Sequence, residues 1–247
     1  MRKLVLTTFL VLSLTVAFGQ TYNEKYGQPI IVLIETDPWL MVIGSDVPSF
    51  ALYENGQIIY KKTSDNKTEY LEVQNDREKT QQIIKSFGIT DSLMKQKDFT
   101  KASNWTDQPT NVMIFNFNTS RRISVYGNLR KKNSEDRKNT PKDYLTVYDN
   151  ILAFNDNSAK KWLPETFEVM ATDFSYSKEK PLIWKKEWND LKSSSTVKRS
   201  DDLYSIYLDK KYYDDFIELL KMINQKQAVE INGKKFSLSY RLPFPNL

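Results

Sequence analysis

Short apolar stretches separated by polar turns run along this chain, and two periods divide them into elements: alternation for strands, a three-to-four-residue repeat for helices. Residues 29–44, PIIVLIETDPWLMVIG, read as an apolar strand broken at Asp37-Pro38. Residues 50–62, FALYENGQIIYKK, carry a hairpin signal, Asn55-Gly56 between two apolar runs, with Gly56 free to take a positive φ. With Asn55 and Gly56 as the two turn residues, Tyr53 opposes Ile58, Ala51 opposes Tyr60 and Leu52 opposes Ile59, so neither face is polar. Such a pair is expected inside a sheet, with a helix over 140–154 as its cover. The alternative is a partner-binding face containing Tyr53, Ile58 and Tyr60.

Alternation at Tyr70, Leu71 and Val73 leads into a helix with Asp76 as N-cap, Ile83, Ile84 and Phe87 on one face and Gly88 at its end. Residues 110–128, TNVMIFNFNTSRRISVYGN, form a second hairpin turning near 118–120. The next helix start is the clearest in the chain: Thr140 as N-cap, Pro141 at the first helical position and Asp143 as the third, followed by a stripe of Tyr144, Val147, Tyr148, Ile151 and Leu152. Residues 159–200 show neither period. They read as a connector packed by Trp162, Trp184 and Trp188, with a short strand at 167–170.

Residues 203–208 are a strand, and Asp209 caps a helix with the stripe Tyr212, Phe216, Leu219, Leu220 and Ile223. A final hairpin turns at Asn232-Gly233; its two-residue register places Val229, Ile231, Phe236, Leu238 and Tyr240 on one face and Glu230 opposite Lys235 on the other. The fold class is therefore α+β: antiparallel sheets with hairpins, each covered by one or two helices. The expected units are an α+β domain over 20–158, a connector over 159–200 and a β-α-β-β unit over 201–247. Both halves share the order strand, helix, hairpin, with no residue-level repeat behind it.

The first nineteen residues fit none of these elements. Arg2 and Lys3, an uncharged apolar run from Leu4 to Phe18, and small residues around Gly19 make a secretory signal peptide with cleavage expected before Gln20 and no membrane span afterwards. Two of the five surplus positive charges lie in that segment, and the remaining surplus of three is too small to point to nucleic acid. The chain contains neither Cys nor His. An exported, disulfide-free chain of this size suits the periplasm or exterior of a Gram-negative bacterium. It has no thiolate nucleophile, no Ser-His-Asp triad, and none of the usual zinc, copper or haem ligand sets, so no metal or cofactor is expected.

The first half resembles uncharacterised domains of exported bacterial envelope proteins. The resemblance covers residues 29–154 and rests on the motif Pro48, Phe50, Leu52, Tyr53, Asn55, Gly56 and Tyr60, the TDQPT turn at 106–110, and a closing hairpin and helix. It implies a fold and no catalytic residues.

Candidate chemistry is sparse. Asp201-Asp202 and Asp214-Asp215 are sequence neighbours that point apart, Glu165 and Asp173 are a candidate glycosidase pair, and SSST at 193–196 with Lys198 lacks the Ser-Lys helical spacing. The oxygen-rich stretches at 64–69 and 155–158 read as turns. Asp91-Ser92-Leu93 fits a short O-glycosylation acceptor pattern of some exported bacterial proteins. Arg121, Arg122, Arg130, Lys131, Lys132, Arg137 and Lys138 form the densest basic region, a solvated loop or a face for an anionic envelope polymer. Trp162, Trp184 and Trp188 either pin the connector or line a sugar- or peptide-binding surface. The expected function is a non-catalytic binding or interaction protein of the envelope, its partner an envelope protein or glycan; the alternative is a carboxylate-dependent hydrolase of polysaccharide or peptidoglycan.

Overall fold

The computed structural model describes residues 22–36, 38, 47–64 and 67–247. The expected signal peptide, the second half of the stretch 29–44 and the centre of 64–69 lie outside them.

Among the described residues there are two mostly antiparallel sheets and five short α-helices. The first sheet contains β1 (Pro29–Thr36), β2 (Phe50–Tyr53), β3 (Gln57–Ser64), β4 (Lys67–Gln74), β5 (Phe99–Lys101), β6 (Thr110–Asn116), β7 (Ser120–Tyr126) and β8 (Lys160–Lys161), in the order β5-β7-β6-β1-β2-β3-β4-β8. The second contains β9 (Thr166–Asp173), β10 (Leu182–Ile183), β11 (Val197–Ser200), β12 (Leu203–Asp209), β13 (Val229–Ile231) and β14 (Lys234–Arg241), in the order β10-β13-β14-β9-β12-β11. Two short pairs, β5 with β7 and β10 with β13, are parallel. Among the described residues no helix is long and apolar enough to cross a membrane.

The helices are α1 (Arg77–Ser86), α2 (Asp91–Met94), α3 (Glu135–Lys138), α4 (Lys142–Leu152) and α5 (Tyr213–Met222), the last preceded by a 3-10 turn at Lys210–Tyr212. Asp76 caps α1 by accepting from the Lys79 amide at 2.8 Å, and Gly88 ends it at φ 73°. α4 begins one residue later than its sequence signal. Thr140 is not its cap, because its hydroxyl already donates to the Asp136 carbonyl at the end of α3, and Pro141 takes the cap position without a side-chain bond. Asp209 caps the 3-10 turn rather than α5 itself.

The hairpin at 50–62 is an interior pair, with β2 and β3 between β1 and β4. Its register differs by one residue from the expected one: Leu52 opposes Ile58, Ala51 opposes Ile59 and Phe50 opposes Tyr60. The turn explains the shift. The Gly56 amide donates to the Tyr53 carbonyl at 3.0 Å, closing a turn over Glu54 and Asn55, and Gly56 at φ 82° adds a bulge residue. Because both faces are apolar, the hydrophobic pattern had no power to choose between registers. Phe50, Leu52, Ile58 and Tyr60 join a buried cluster with Tyr144, Val147, Tyr148 and Ile151 of α4, while Ala51, Tyr53 and Ile59 join a second cluster that extends through Trp162 and Phe244 to Phe167, Val169 and Phe216 of the second sheet and its helix. The second Asn-Gly hairpin keeps the two-residue register, with Asn232 and Gly233 both at positive φ and Glu230 opposite Lys235.

Residues 159–200, expected as a connector, contribute β9, which lies between β14 and β12 in the second sheet. The short strand expected at 167–170 is the centre of β9, and Phe167 to Ala171 are buried on both of its faces.

Candidate functional site

None of the six residues expected to form a binding surface reaches solvent appreciably. Tyr53, Ile58 and Tyr60 are sheet interior, and Trp162, Trp184 and Trp188 are also buried. The Trp184 and Trp188 rings meet edge-on at 4.8 Å and both reach Phe216 of α5, and Trp184 Nε1 donates to the Asn189 carbonyl. These residues pin the chain, because large aromatic rings gain most by filling a core. Among the described tryptophans, Trp105 faces solvent, 78% exposed, on a loop held by the Tyr126 hydroxyl, which donates to the Trp105 carbonyl.

The candidate catalytic pairs do not form either. Glu165 immediately precedes β9 and Asp173 is its last residue, so eight strand steps, roughly 26 Å, separate them, far beyond the reach of a glycosidase pair. Lys198 is bound to exposed Asp201, Ser193 bonds Asp190, and Asp214 and Asp215 occupy the first turn of α5. Lys79 and Ser158 hold Asp156 at a pKa of about 2, so the stretch 155–158 is a turn tied to α1. Most of the basic region is paired: Arg121 with Asp98, Arg130 with Glu35, Lys132 and Arg137 with Asp149, Lys138 with Glu135. Among the described residues no group of three acids is placed to hold a metal ion.

The structure instead brings together five residues that the sequence did not single out. On β9 the side chains of Phe167, Val169 and Ala171 enter the core, which sends Glu168 to the other face, where it is 2% exposed. Register places Arg241 of β14 and Tyr207 of β12 on either side of it in one cross-strand row. Ser205, two residues before Tyr207, donates from its hydroxyl to one Glu168 oxygen, and Arg241 Nε donates to the other. Arg199 is the extra residue of a bulge in β11, between Lys198, which opposes Tyr204, and Ser200, which opposes Leu203. The bulge turns its side chain toward the same row. Arg199 Nε donates to Ser205 Oγ at 2.9 Å, and Nη2 donates to the Tyr207 hydroxyl at 3.0 Å and lies 3.6 Å from Glu168.

Burying an unpaired carboxylate costs several kcal/mol, and the two donors on the flanking strands, with the Arg199 guanidinium 3.6 Å away on β11, offset that cost. Arg199, Tyr207 and Arg241 of this row line a cleft of about 330 Å³ between the two sheets. The other side chains that line it are apolar, among them Ile34 of β1, Val47 and, from the tail after β14, Phe244. One trace of the site was present in the sequence: a lone acid inside the apolar run TFEVMA. Its partners lie 37 and 73 residues away, beyond any local pattern.

Comparison of the chain with protein-family models, curated proteins and solved structures finds no match.

Proposed function

We propose that this chain is an exported, non-catalytic binding protein of the bacterial envelope, and that the cleft between its sheets is where it binds. The observation that carries this reading is the cleft itself: two guanidinium groups and a phenol among side chains that are otherwise hydrocarbon. Small-molecule sites have this composition, and the volume falls at the lower end of their range of roughly 300–1,000 Å³. The hydrolase alternative needs an acid of raised pKa facing a second carboxylate. The carboxylates displaced here, Glu35, Asp149, Asp156, Asp190 and Asp201, are all displaced downward, the state of an ion that accepts hydrogen bonds rather than of a proton donor.

Expression of the full chain in a Gram-negative host tests both parts. The expected product is a periplasmic protein whose mass corresponds to a start at Gln20 and which releases nothing from peptidoglycan or polysaccharide. Retention of the uncut chain in the cytoplasm refutes export, and glycan release that stops on neutralising a single acidic side chain refutes the non-catalytic reading.

A further inference from the structure

Away from the cleft, one loop joins an exposed aromatic ring to polar side chains that the fold does not use. Asn104, Trp105, Thr106 and Asp107 are four successive exposed residues between β5 and β6. Their backbone is clamped. The Tyr126 hydroxyl on β7 donates to the Trp105 carbonyl at 2.9 Å and accepts from the Gln108 amide at 3.2 Å, so one side chain holds both ends of the bend. The Trp105 amide donates to Ser103 Oγ, the Gln108 side chain donates to the Thr106 carbonyl, and the Gly127 amide fixes the Pro109 carbonyl at 2.9 Å. Asp107 closes the bend in the left-handed region, at φ 55°. The side chains are the opposite case: those of Asn104, Thr106 and Asp107, and the Trp105 indole N–H, have no hydrogen-bond partner among the described residues.

We infer that this loop is a binding site for a neutral glycan, separate from the cleft, with one pyranose ring stacked on Trp105 and its hydroxyls bonded by Asn104, Thr106 and Asp107. A pyranose carries C–H groups on its face, which pack on an aromatic ring, and hydroxyls on its rim, each able to donate and accept. The loop matches both: the Asn104 amide and the Thr106 hydroxyl donate and accept, the Asp107 carboxylate accepts, and the indole N–H donates. A backbone already fixed lowers the ordering cost of binding. Protein and lipid partners are met by contiguous apolar patches, whereas the residues on either side of Trp105 are polar. Asp107 is the only charged side chain between Ser103 and Thr110, which disfavours an anionic partner.

Isothermal titration of residues 20–247 with chitohexaose, cellohexaose and maltohexaose, and with vesicles of phosphatidylethanolamine and phosphatidylglycerol, tests this. At least one oligosaccharide is expected to bind, and Trp105→Ala to weaken it at least about tenfold, while Trp105→Tyr keeps most of the affinity. Asn104→Ala is expected to weaken binding severalfold, as one lost hydrogen bond requires. Because the Trp105 ring is exposed, Trp105→Ala should leave the thermal midpoint unchanged, which separates a lost contact from a lost fold. Binding of none of the three oligosaccharides overturns the inference, as does binding that survives Trp105→Ala. Vesicle binding that depends on Trp105, without glycan binding, assigns the loop to a lipid surface and overturns it too. Glycan binding that survives Trp105→Ala and is lost on Tyr207→Phe puts the glycan in the cleft, which overturns this inference and leaves the binding-protein reading standing.

Discussion

At the scale of single residues, the two Asn-Gly pairs show how one dipeptide serves two turns. Gly56 and Gly233 have nearly the same φ, 82° and 79°, but a Cβ on Gly56 would lie 2.3 Å from the Asn75 carbonyl oxygen and 2.7 Å from the Thr80 hydroxyl, while one on Gly233 would meet nothing within 4 Å. Both substitutions to alanine incur the left-handed backbone penalty of roughly 1–2 kcal/mol. Gly56→Ala must in addition displace the strand end that donates the Asn75 amide to the Gly56 carbonyl. Urea unfolding is expected to show a loss for Gly56→Ala larger than for Gly233→Ala by roughly 1–3 kcal/mol, the usual cost of overpacking; equal losses would mean that the contact relaxes freely. The dipeptide was legible in the sequence and the turn type was not, because turn type depends on what lies across from the glycine.

At the scale of elements, α4 is tied to β1 through Glu35. Its carboxylate accepts from Arg130 Nε and Nη2 at 2.7 and 2.6 Å, from the Tyr148 hydroxyl at 2.6 Å and from Ser49 Oγ at 2.5 Å. Burial alone would raise its pKa, but the bonds from Arg130, Ser49 and Tyr148 outweigh burial and leave it below the usual carboxylate range. A group depressed in the folded state contributes stability above its unfolded pKa, about 4.3, and loses that contribution as pH falls through the folded value. Glu35→Gln should therefore be less stable than the wild type near neutrality, by roughly 2 kcal/mol for hydrogen bonds to a charged group. The two should converge at acid pH, and urea midpoints measured across that range check the trend. The apolar stripe of α4 was readable from its spacing, and Tyr148 stood in it as one more core residue. That its hydroxyl meets an acid 113 residues away came only from the tertiary arrangement.

At the scale of the whole molecule, the two sheets are joined by the last residues of the chain. Leu242 and Phe244 lie in the cluster shared by both sheets, with Phe244 4.9 Å from the Trp162 ring and 5.5 Å from that of Tyr70. The Tyr53 hydroxyl donates to the Pro245 carbonyl, and Asn246 Nδ2 donates to the Gly27 and Asn23 carbonyls. A shared core predicts one cooperative transition, with tryptophan fluorescence and far-UV circular dichroism coincident in the wild type. Phe244→Ala should cost about 3–5 kcal/mol and separate the two probes as the sheets uncouple. Coincident curves in the variant would place the coupling elsewhere.

What the sequence determined by itself were the elements whose two faces differ: α1 with its Asp76 cap, the stripe of α4, and the closing hairpin, whose Glu230–Lys235 pair marks the wet side and so the register. Tertiary structure decided everything whose faces are alike or whose partners are remote. It set the register of the doubly buried hairpin at 50–62, placed β9 between β14 and β12, buried Trp162, Trp184 and Trp188, paired most of the basic region and assembled the row around Glu168. The physical reason is that periodicity records a contrast between two environments along one segment. A segment buried on both sides has no such contrast, and a buried charge is balanced by residues that folding alone brings near.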